Sequence, residues 1–409
     1  YLLLILSSFF MRNISQFIYV LFLILFFSNE SNSQTEEIKN IQLFGTKKNA
    51  QKSVFYKGEI INVSFDELSY NTNNYYYSID HYDYDWNKSN IFKNEIISGY
   101  DDIRISDYKK SFNTLQKFTN YSFSFPNEKF TILLSGNYLL TVKDYNDNII
   151  FQRKFIIVEK GNIGNIEISR SKDINKRNSY QNLKIKFRCI ECVFDTRSKY
   201  KLVVLQNNNF NNYQLINNST LKTSTEMIFD NILFKGGDEY LSFDNKNILI
   251  TNNEIKQILT GNIYSTILYE DIESLSYSYN PDKNGIFINN NLSQNKDLES
   301  DYTKVSFSIR TNSDQDNDVY IVGGFNNHEL IEENKLKKTK NNLYEKTIKL
   351  KQGYYNYMYV KSSNGLIESL SNFWQTENDY SAFLFQKKPT DRFYKIVGYT
   401  KKNSDNIVN

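Results

Sequence analysis

The sequence predicts an all-β protein of three consecutive immunoglobulin-like β-sandwich domains that follow a signal peptide. The chain contains 32 Tyr and 30 Phe but only 3 Pro, and aromatic residues favour strands. Apolar and polar residues alternate with a period of two along much of the chain, as they do in half-buried strands. Turn residues separate these short runs, which is the texture of a β-sandwich.

The N-terminal stretch, residues 1–33, is interpreted as upstream residues and a signal peptide. Arg12 precedes the 11-residue apolar run Phe17–Phe27, and serines before residue 34 supply the small residues of a cleavage site. The run is shorter than the ~20 residues that span a bilayer. We therefore expect export with cleavage after Ser33. The alternative is a membrane anchor that also uses residues 1–10, although Arg12 interrupts that stretch.

In the first block of the mature chain, three short runs are predicted to be strands: Ile60–Phe65, Tyr75–Ile79 and Tyr121–Phe125. A hairpin is predicted over Gly136–Val158, because two alternating runs flank the polar turn 146–148.

Breaks in the apolar pattern set the predicted domain bounds. The first domain is expected over residues 34–160, the second over 161–300 and the third over 301–400. A polar tail, residues 401–409, follows the last predicted strand. Each block of about 100–130 residues has the size of one sandwich.

Composition and motifs exclude several functional classes. The 49 Lys and Arg against 46 Asp and Glu leave a net charge of +3 without a long basic block, so charge gives no support for a nucleic-acid partner. The sequence has neither a P-loop nor a glycine-rich dinucleotide motif. After the signal peptide, no stretch is apolar enough to cross a membrane as a helix.

The two cysteines form the C-x-x-C motif of Cys189 and Cys192. A zinc site would need two further ligands, and the only histidines, His81 and His328, are distant in sequence. The flanking runs resemble strands, whereas a thioredoxin-type site lies at a helix start. The sequence leaves two alternatives open: a local disulfide, or two unpaired thiols on a β-loop.

The densest polar cluster is Asp80–Trp86. If this segment continues a strand, His81, Asp83 and Asp85 share one face and could bind a divalent metal. Carboxylates clustered at a strand end more often form a solvated turn, so we predict no metal and no cofactor. Two histidines so far apart give no Ser-His-Asp arrangement, and we expect no catalytic residues and no enzyme.

Motifs in the first block resemble a known family. The run Tyr75–Ser89 is followed by Tyr108–Thr114 and Leu134–Tyr138. This order is similar to the first domain of the type IX secretion system plug protein family, long known as a domain of unknown function. The family pattern is a Tyr-rich strand, a His and acidic run ending in Asp-Trp, a Ser-Phe-Asn-Thr element and a Ser-Gly-Asn-Tyr hairpin. Tyr82 stands where the family usually has Cys.

The resemblance continues beyond the first block. Phe234–Asp244 is similar to the family's Gly-Gly-Asn-Glu-Phe-Arg-x-Phe-Asp element, with substitutions at Asp238, Tyr240 and Leu241. Further motifs follow in the family's order: Val203–Asn207, Val319–Asn327, Leu350–Tyr357, Phe373–Tyr380 and Arg392–Tyr399.

The resemblance implies a non-enzymatic periplasmic protein that is associated with the outer membrane. It implies one partner, the outer-membrane β-barrel translocon of type IX secretion, whose periplasmic opening the protein would plug. Nucleic acid and a small-molecule substrate are not expected, and membrane association is expected through the protein partner only.

Loops that carry family motifs are the predicted partner contacts, because Tyr offers both apolar area and a hydroxyl at interfaces. The segments are Asp80–Trp86, Gly236–Tyr240 and Trp374–Tyr380. For each segment the alternative is that it builds only turns and inter-domain joints. The candidate residues are Asp80, His81, Asp83, Asp85, Trp86, Gly236, Gly237, Asp238, Glu239, Tyr240, Trp374, Glu377, Asn378 and Tyr380.

A second function class comes from the C-terminal block. Tyr320–Asn327 followed by Leu350–Tyr359 also resembles E-set carbohydrate-binding modules, in which a Phe-Asn-x-Trp element begins the sugar platform. His328 stands at the Trp position of that element. The alternative function is therefore an exported carbohydrate-binding protein that uses its C-terminal E-set-like domain.

Overall fold

The computed structural model describes residues 38–46, 51–159, 161–189, 193–312, 317–363 and 366–405. The predicted signal peptide lies outside these residues. The described part is built almost entirely of β-strands, with a single short α-helix, α1 (Lys93–Ile96), and two 3-10 turns at Gly324–Asn326 and Glu332–Asn334. Within it, no helix has the length and apolar character needed to cross a membrane.

Three groups of strands follow one another along most of the chain. The first group is β1 (Ile38–Phe44), β2 (Val54–Tyr56), β3 (Ile61–Glu67), β4 (Tyr75–Tyr82), β5 (Ile97–Gly99), β6 (Ile103–Ile105), β7 (Asp107–Lys110), β8 (Thr119–Phe125), β9 (Phe130–Ile132), β10 (Gly136–Asp144) and β11 (Ile149–Val158). The second is β12 (Asn162–Arg170), β13 (Tyr180–Arg188), β14 (Lys199–Gln206), β15 (Tyr213–Ile216), β16 (Leu221–Lys222) and β17 (Glu226–Lys235).

The third group runs from residue 241 to residue 369. Its strands are β18 (Leu241–Asp244), β19 (Ile255–Leu259), β20 (Tyr264–Leu268), β21 (Asp271–Ile272), β22 (Phe287–Asn289), β23 (Tyr302–Arg310), β24 (Asp318–Val322), β25 (Lys337–Lys338), β26 (Leu343–Lys351), β27 (Gly353–Ser363) and β28 (Leu366–Ser369). The last two strands are β29 (Asp379–Lys387) and β30 (Lys395–Asn403).

The first block, residues 38–158, is a sandwich of two sheets with orders β1-β3-β8-β7 and β2-β11-β10-β4-β6. On β4 every second side chain is buried, because successive side chains of a strand point to opposite faces. Aromatic rings fill much of the core; Phe65 stacks on Tyr121 with 5.1 Å between ring centroids. The strands and the hairpin predicted in this block are present, with Asp144 accepting the backbone N–H groups of Asn146 and Asn148 at the hairpin turn.

The middle sheet has eight strands in the order β15-β14-β29-β30-β12-β13-β17-β16. Leu202 on β14 and Ile185 on β13 lie in the same buried cluster although three strands separate them in the sheet. The sheet therefore curls around its own core. Its other face carries a second apolar cluster, which includes Val203 and Phe383 and contacts the first block.

The third block comprises β18–β28 and forms two sheets around one core. One sheet has the order β19-β20-β23-β26-β25, with β21 paired to β23. The other has the order β18-β27-β22, and β24 and β28 also pair with β27. The predicted all-β sandwich class is confirmed, since the chain forms packed sheets with almost no helix.

The sheets divide the chain differently from the predicted bounds at 161–300 and 301–400. The strands between residues 241 and 289 belong to the third block, whereas β29 and β30 belong to the middle sheet. The physical reason is long-range pairing: β29 joins β14 in an eight-residue antiparallel register. Alternation along the sequence shows where a strand lies but not which distant strand it pairs with.

Two local predictions have defined outcomes. Residues 401–403 extend β30 and Ser404 is buried, so the polar tail predicted from residue 401 begins too early. The Ser404 hydroxyl accepts the backbone N–H of Asn378 at 2.8 Å, which ties the residue after β30 to the segment before β29. Cys189 is buried and disulfide-bonded, which resolves the alternative that the sequence left open; Cys192 lies outside the described residues.

Candidate partner-binding segments

The first predicted segment, Asp80–Trp86, begins at the end of β4. The Asp80 carboxylate lies 3.3 Å from the Lys88 Nζ and 3.2 Å from the Lys93 Nζ. Burial alone would raise the pKa of Asp80, but the two ammonium groups outweigh it and lower that pKa. Asp80 is therefore ionised and already paired within its own block.

His81 is a core residue. Its side chain is 1% exposed, with Nδ1 2.7 Å from the Ser89 hydroxyl and Nε2 3.3 Å from the Ser135 carbonyl oxygen. A Cβ on Gly136 would lie 2.1 Å from Nε2, so the glycine, whose φ is +148°, makes room for the ring. Burial lowers the pKa of His81, which keeps the imidazole neutral.

Asp83 and Asp85 both accept backbone N–H groups, Asp83 from the loop between β29 and β30 and Asp85 from its own loop. The Tyr394 N–H donates to Asp83 Oδ1 at 3.1 Å, and the Asn87 N–H donates to Asp85 Oδ1 at 3.2 Å. The Asn87 side-chain amide donates to the other Asp85 oxygen at 2.8 Å. Across the described residues, no group of three or more His, Cys, Asp or Glu side chains has the geometry to hold a metal ion.

Trp86 joins the first block to the middle sheet. Its ring meets Phe210 edge to face at 5.3 Å, and the Lys154 Nζ lies 4.6 Å from its centroid. Beside it, the rings of Tyr84 and Tyr394 are 4.7 Å apart. The first segment therefore builds a joint between two parts of the chain.

The second and third segments, Gly236–Tyr240 and Trp374–Tyr380, contact each other. The Asn378 side-chain amide donates to the Gly236 carbonyl at 2.9 Å, and the Phe373 N–H donates to the Gly237 carbonyl at 2.8 Å. A Cβ on Gly236 would lie 1.8 Å from the Phe373 carbonyl oxygen. Only glycine permits this approach of the two backbones.

Glu239 is a buried carboxyl at this contact, with 6% of its surface exposed. Its Oε1 accepts the Tyr277 hydroxyl at 2.7 Å and the Glu377 N–H at 3.2 Å. The other oxygen, Oε2, is buried without a hydrogen-bond partner. Burial raises the pKa of Glu239 to about 7, and the nearby carboxylates of Asp282 and Glu377 add to the rise.

Tyr240 and Asp238 flank this carboxyl. Tyr240 is buried and its backbone N–H donates to Asp282 Oδ2 at 2.7 Å. Asp238 is half-buried and accepts the Glu239 N–H at 3.0 Å. Burial raises the pKa of Asp238 and raises that of Asp282 to about 6.

Asn378 and Tyr380 form a buried polar network with the middle sheet. The Tyr380 hydroxyl donates to Gln181 Oε1 at 2.6 Å and accepts from the Gln206 amide at 3.0 Å. Asn378 Oδ1 accepts from the Asn207 amide at 2.8 Å. These side chains satisfy one another and align the two segments.

Trp374 and Glu377 lie nearer the surface. The Arg170 guanidinium is 4.7 Å from the Trp374 ring centroid, a cation–π distance. Glu377 Oε1 accepts from the Asn403 side-chain amide at 2.5 Å.

The structure brings two of the three predicted segments together and leaves the first at a separate joint. The partner contact predicted at these segments stays a prediction, and none of the fourteen candidate residues is exposed. The reason is that the motifs hold turns and sheet contacts by hydrogen bonds within the chain. Six of them are buried, namely His81, Gly236, Glu239, Tyr240, Asn378 and Tyr380.

Exposed aromatic side chains lie elsewhere. Phe112 belongs to the Ser-Phe-Asn-Thr element and is 71% exposed, while its backbone N–H donates to Leu298 O at 3.0 Å. The family motif Tyr108–Thr114 contains this residue, but alternation of apolar and polar residues does not predict that its side chain points to solvent. Other exposed aromatics of the described chain are Tyr56, Phe92, Tyr100, Tyr108, Tyr145, Tyr213, Tyr269 and Tyr279.

The segment that resembles a sugar platform is folded inward. The Phe325 ring meets Tyr355 edge to face at 5.8 Å, and the His328 side chain is buried. Burial lowers the pKa of His328 to about 4, so its ring is neutral. This position offers no exposed aromatic face to a sugar.

One solved structure resembles the chain over nearly its whole length. It is a crystal structure of a hypothetical protein from Parabacteroides merdae ATCC 43184, with 25% sequence identity and a TM-score of 0.85. The alignment covers 90% of this chain and 98% of that chain. The two proteins therefore share one architecture. A search of curated proteins found no match.

The first block also matches a family model. Residues 38–159 match the model described as "Type 9 secretion system plug protein 1st domain". The match spans the block that contains the Tyr-rich strand and the Ser-Gly-Asn-Tyr hairpin. It supports a component of the type IX secretion system. Over the first block, the match confirms the resemblance to the type IX secretion system plug protein family that the sequence motifs predicted.

Proposed function

We propose that this protein binds the outer-membrane β-barrel translocon of the type IX secretion system and plugs its periplasmic opening. The observation that carries the proposal is the match of residues 38–159 to the plug protein first domain. The protein reaches the periplasm through a cleaved signal peptide and associates with the outer membrane through the translocon. It acts without catalysis, by occupying the opening.

The chemistry of the conspicuous polar side chains fits a non-enzymatic role. His81 is neutral and hydrogen-bonded at both ring nitrogens, and Asp80 is paired with two lysines. Glu239 is buried at a contact between segments of the same chain. These groups stabilise the folded chain, which fits a role without catalysis.

Exposed aromatic side chains of the first block supply the contact with the barrel in this proposal. Phe112 is the first candidate, because it lies in a family motif and is 71% exposed. Phe92 and Tyr100 are exposed to a similar extent, 70% and 73%. A stable contact needs about 1,000 Å² of buried surface, so neighbouring polar side chains would take part.

Membrane permeability tests the proposal directly. Deleting the gene should make the outer membrane leakier to solutes that the barrel admits, but only in cells that contain the translocon. Unchanged permeability, or an equal increase in cells without the barrel, would contradict the plug function.

Capture of the translocon from solubilised outer membranes tests the contact surface. Phe112→Ser should reduce the amount of barrel that a tagged protein retains, whereas Tyr145→Ser is the matched control. Tyr145 is also exposed in the first block, at 73%, but lies outside the family motifs. If both variants retain equal amounts of the barrel, Phe112 is not part of the contact. The plug function itself is then still tested by the permeability measurement.

A further inference from the structure

A cleft of about 280 Å³ lies where the first block, the middle sheet and the third block meet. Strands of the first block form one wall, and loops 207–210 and 283–286 form others. Its most prominent feature is a set of five cationic side chains, one arginine and four lysines. They are Lys52, Arg153, Lys154, Lys283 and Lys401.

Three of the five cations have a carboxylate partner. In each pair the cation and the carboxylate lie within ion-pair distance. The pairs are Lys52 with Glu59, Arg153 with Glu329 at 3.7 Å, and Lys401 with Asp379 at 2.9 Å.

The other two, Lys154 and Lys283, have no carboxylate within ion-pair distance in the part of the chain that the structure describes. Each ammonium group lies over an aromatic ring, 4.6 Å from Trp86 and 5.1 Å from Tyr354, respectively. Burial disfavours the charged form of Lys154 and so lowers its pKa. The five cations and three carboxylates leave a local excess of two positive charges.

Arg153 adds a directional group to this wall. Its side chain is only 11% exposed, and its Nη1 donates to the Gln152 carbonyl at 2.8 Å, which fixes the guanidinium. A fixed guanidinium is suited to a planar or tetrahedral oxyanion, because its N–H groups form a rigid fork.

We infer that this cleft binds a small molecule that carries a phosphate monoester. A phosphate monoester has a charge of about −1.5 to −2 near neutral pH, which matches the local excess, whereas a carboxylate would neutralise half of it. The volume is close to the lower bound of small-molecule sites, about 300 Å³. Leu43 and Ile286 line the cleft as well and offer apolar contact to the organic part.

Isothermal titration calorimetry on the purified protein tests this inference, with glucose 6-phosphate as the probe. Free glucose at the same ionic strength is the matched control ligand. We expect saturable binding of glucose 6-phosphate and none of glucose. Absence of saturable binding, or equal binding of glucose, would overturn the inference.

Charge-removing variants locate the site. Lys154→Met and Lys283→Met should each weaken binding about tenfold or more, because each removes a charged hydrogen-bond donor. Lys256→Met, an exposed lysine on β19 outside the cleft, should bind like the unmodified protein. Circular dichroism establishes whether each variant is folded. If Lys154→Met does not fold, the affinity of Lys283→Met alone tests the site. Unchanged affinity in the folded cleft variants would overturn the site.

A vesicle assay separates a small solute from a lipid headgroup. The protein is sedimented with phosphatidylcholine vesicles that contain or lack phosphatidic acid. Glucose 6-phosphate binding with no sedimentation supports the small-molecule site. Sedimentation with phosphatidic acid without binding of glucose 6-phosphate would overturn it in favour of a lipid surface.

Discussion

The first block contacts the rest of the molecule in two chemically different ways. Against the middle sheet it packs apolar side chains; this apolar junction includes Val54, Ile156 and Val158 on one side and Val203 and Phe383 on the other. Against the third block it places a charged group. The two contacts differ in how specific a partner they need. Apolar packing is non-directional, whereas a buried charge needs a defined partner.

The ionic junction consists of Asp66 from β3 and Lys351 from β26, joined at 2.8 Å. Their side chains are 0% and 1% exposed. Asp66 also accepts the Tyr302 hydroxyl at 2.7 Å and the Asn120 amide at 2.7 Å. The Lys351 ammonium lies 4.0 Å from the Phe118 ring centroid. Such a pair stabilises one arrangement of the two blocks only while both partners are present.

The largest expected effect is therefore the loss of one ionic partner. Lys351→Met should lower the free energy of unfolding by about 3–5 kcal/mol, because it leaves the Asp66 carboxylate buried without its cation. Urea unfolding followed by fluorescence measures this change. Lys304→Met, an exposed lysine on the neighbouring strand β23, should leave stability nearly unchanged.

The double variant separates the charge from the packing. Asp66→Asn combined with Lys351→Met removes both charges and should recover part of the stability lost by Lys351→Met alone. If the double variant is as unstable as the sum of the single changes, the two side chains do not act as a pair.

Glu239 shows a second way to place a carboxyl between parts of the chain. Unlike Asp66, it has no cationic partner among the described residues, and burial raises its pKa from 4.5 to about 7. The folded state therefore retains a proton between these values that the unfolded state has released. This contribution to stability is fully present below pH 4.5 and is lost as the pH rises through about 7.

Glu239→Gln should remove this pH dependence. The difference in unfolding free energy between pH 5 and pH 8 should be about 2 kcal/mol smaller in the variant. A pKa that differs this much between the folded and unfolded states contributes stability of that order. Urea unfolding at both pH values measures it, and Glu128→Gln, at an exposed position, is the control. Asp282 and Asp238 contribute to the remaining slope, so only the difference between the variants is diagnostic. An unchanged slope in Glu239→Gln would show that this carboxyl is ionised in the folded protein.

Sequence reasoning predicted the local elements well and the long-range contacts poorly. The hairpin at Gly136–Val158 was predictable because alternation and a polar turn are local signals. The pairing of β29 with β14 was not predictable, because the alternation within one strand does not depend on which distant strand it pairs with. The role of the candidate segments was hard to predict for the same reason. The backbones of Gly236 and Phe373 are in contact although the residues are far apart in sequence, so the family motif there marks a structural contact. The ionic junction was missed because Asp66 and Lys351 resemble any charged residue of a strand.

The smallest predicted effect concerns the apolar junction. Ile156 is 2% exposed and belongs to the cluster between the first block and the middle sheet. Ile156→Val removes one methylene group and should lower the unfolding free energy by about 0.5–1.5 kcal/mol. The loss should be equal at pH 5 and pH 8, because no charge is involved. Ile174→Val, at a site that is 82% exposed, should change stability little. A loss at Ile156 that varies with pH would show that the apolar junction is coupled to a titrating group and that the two kinds of contact are not independent.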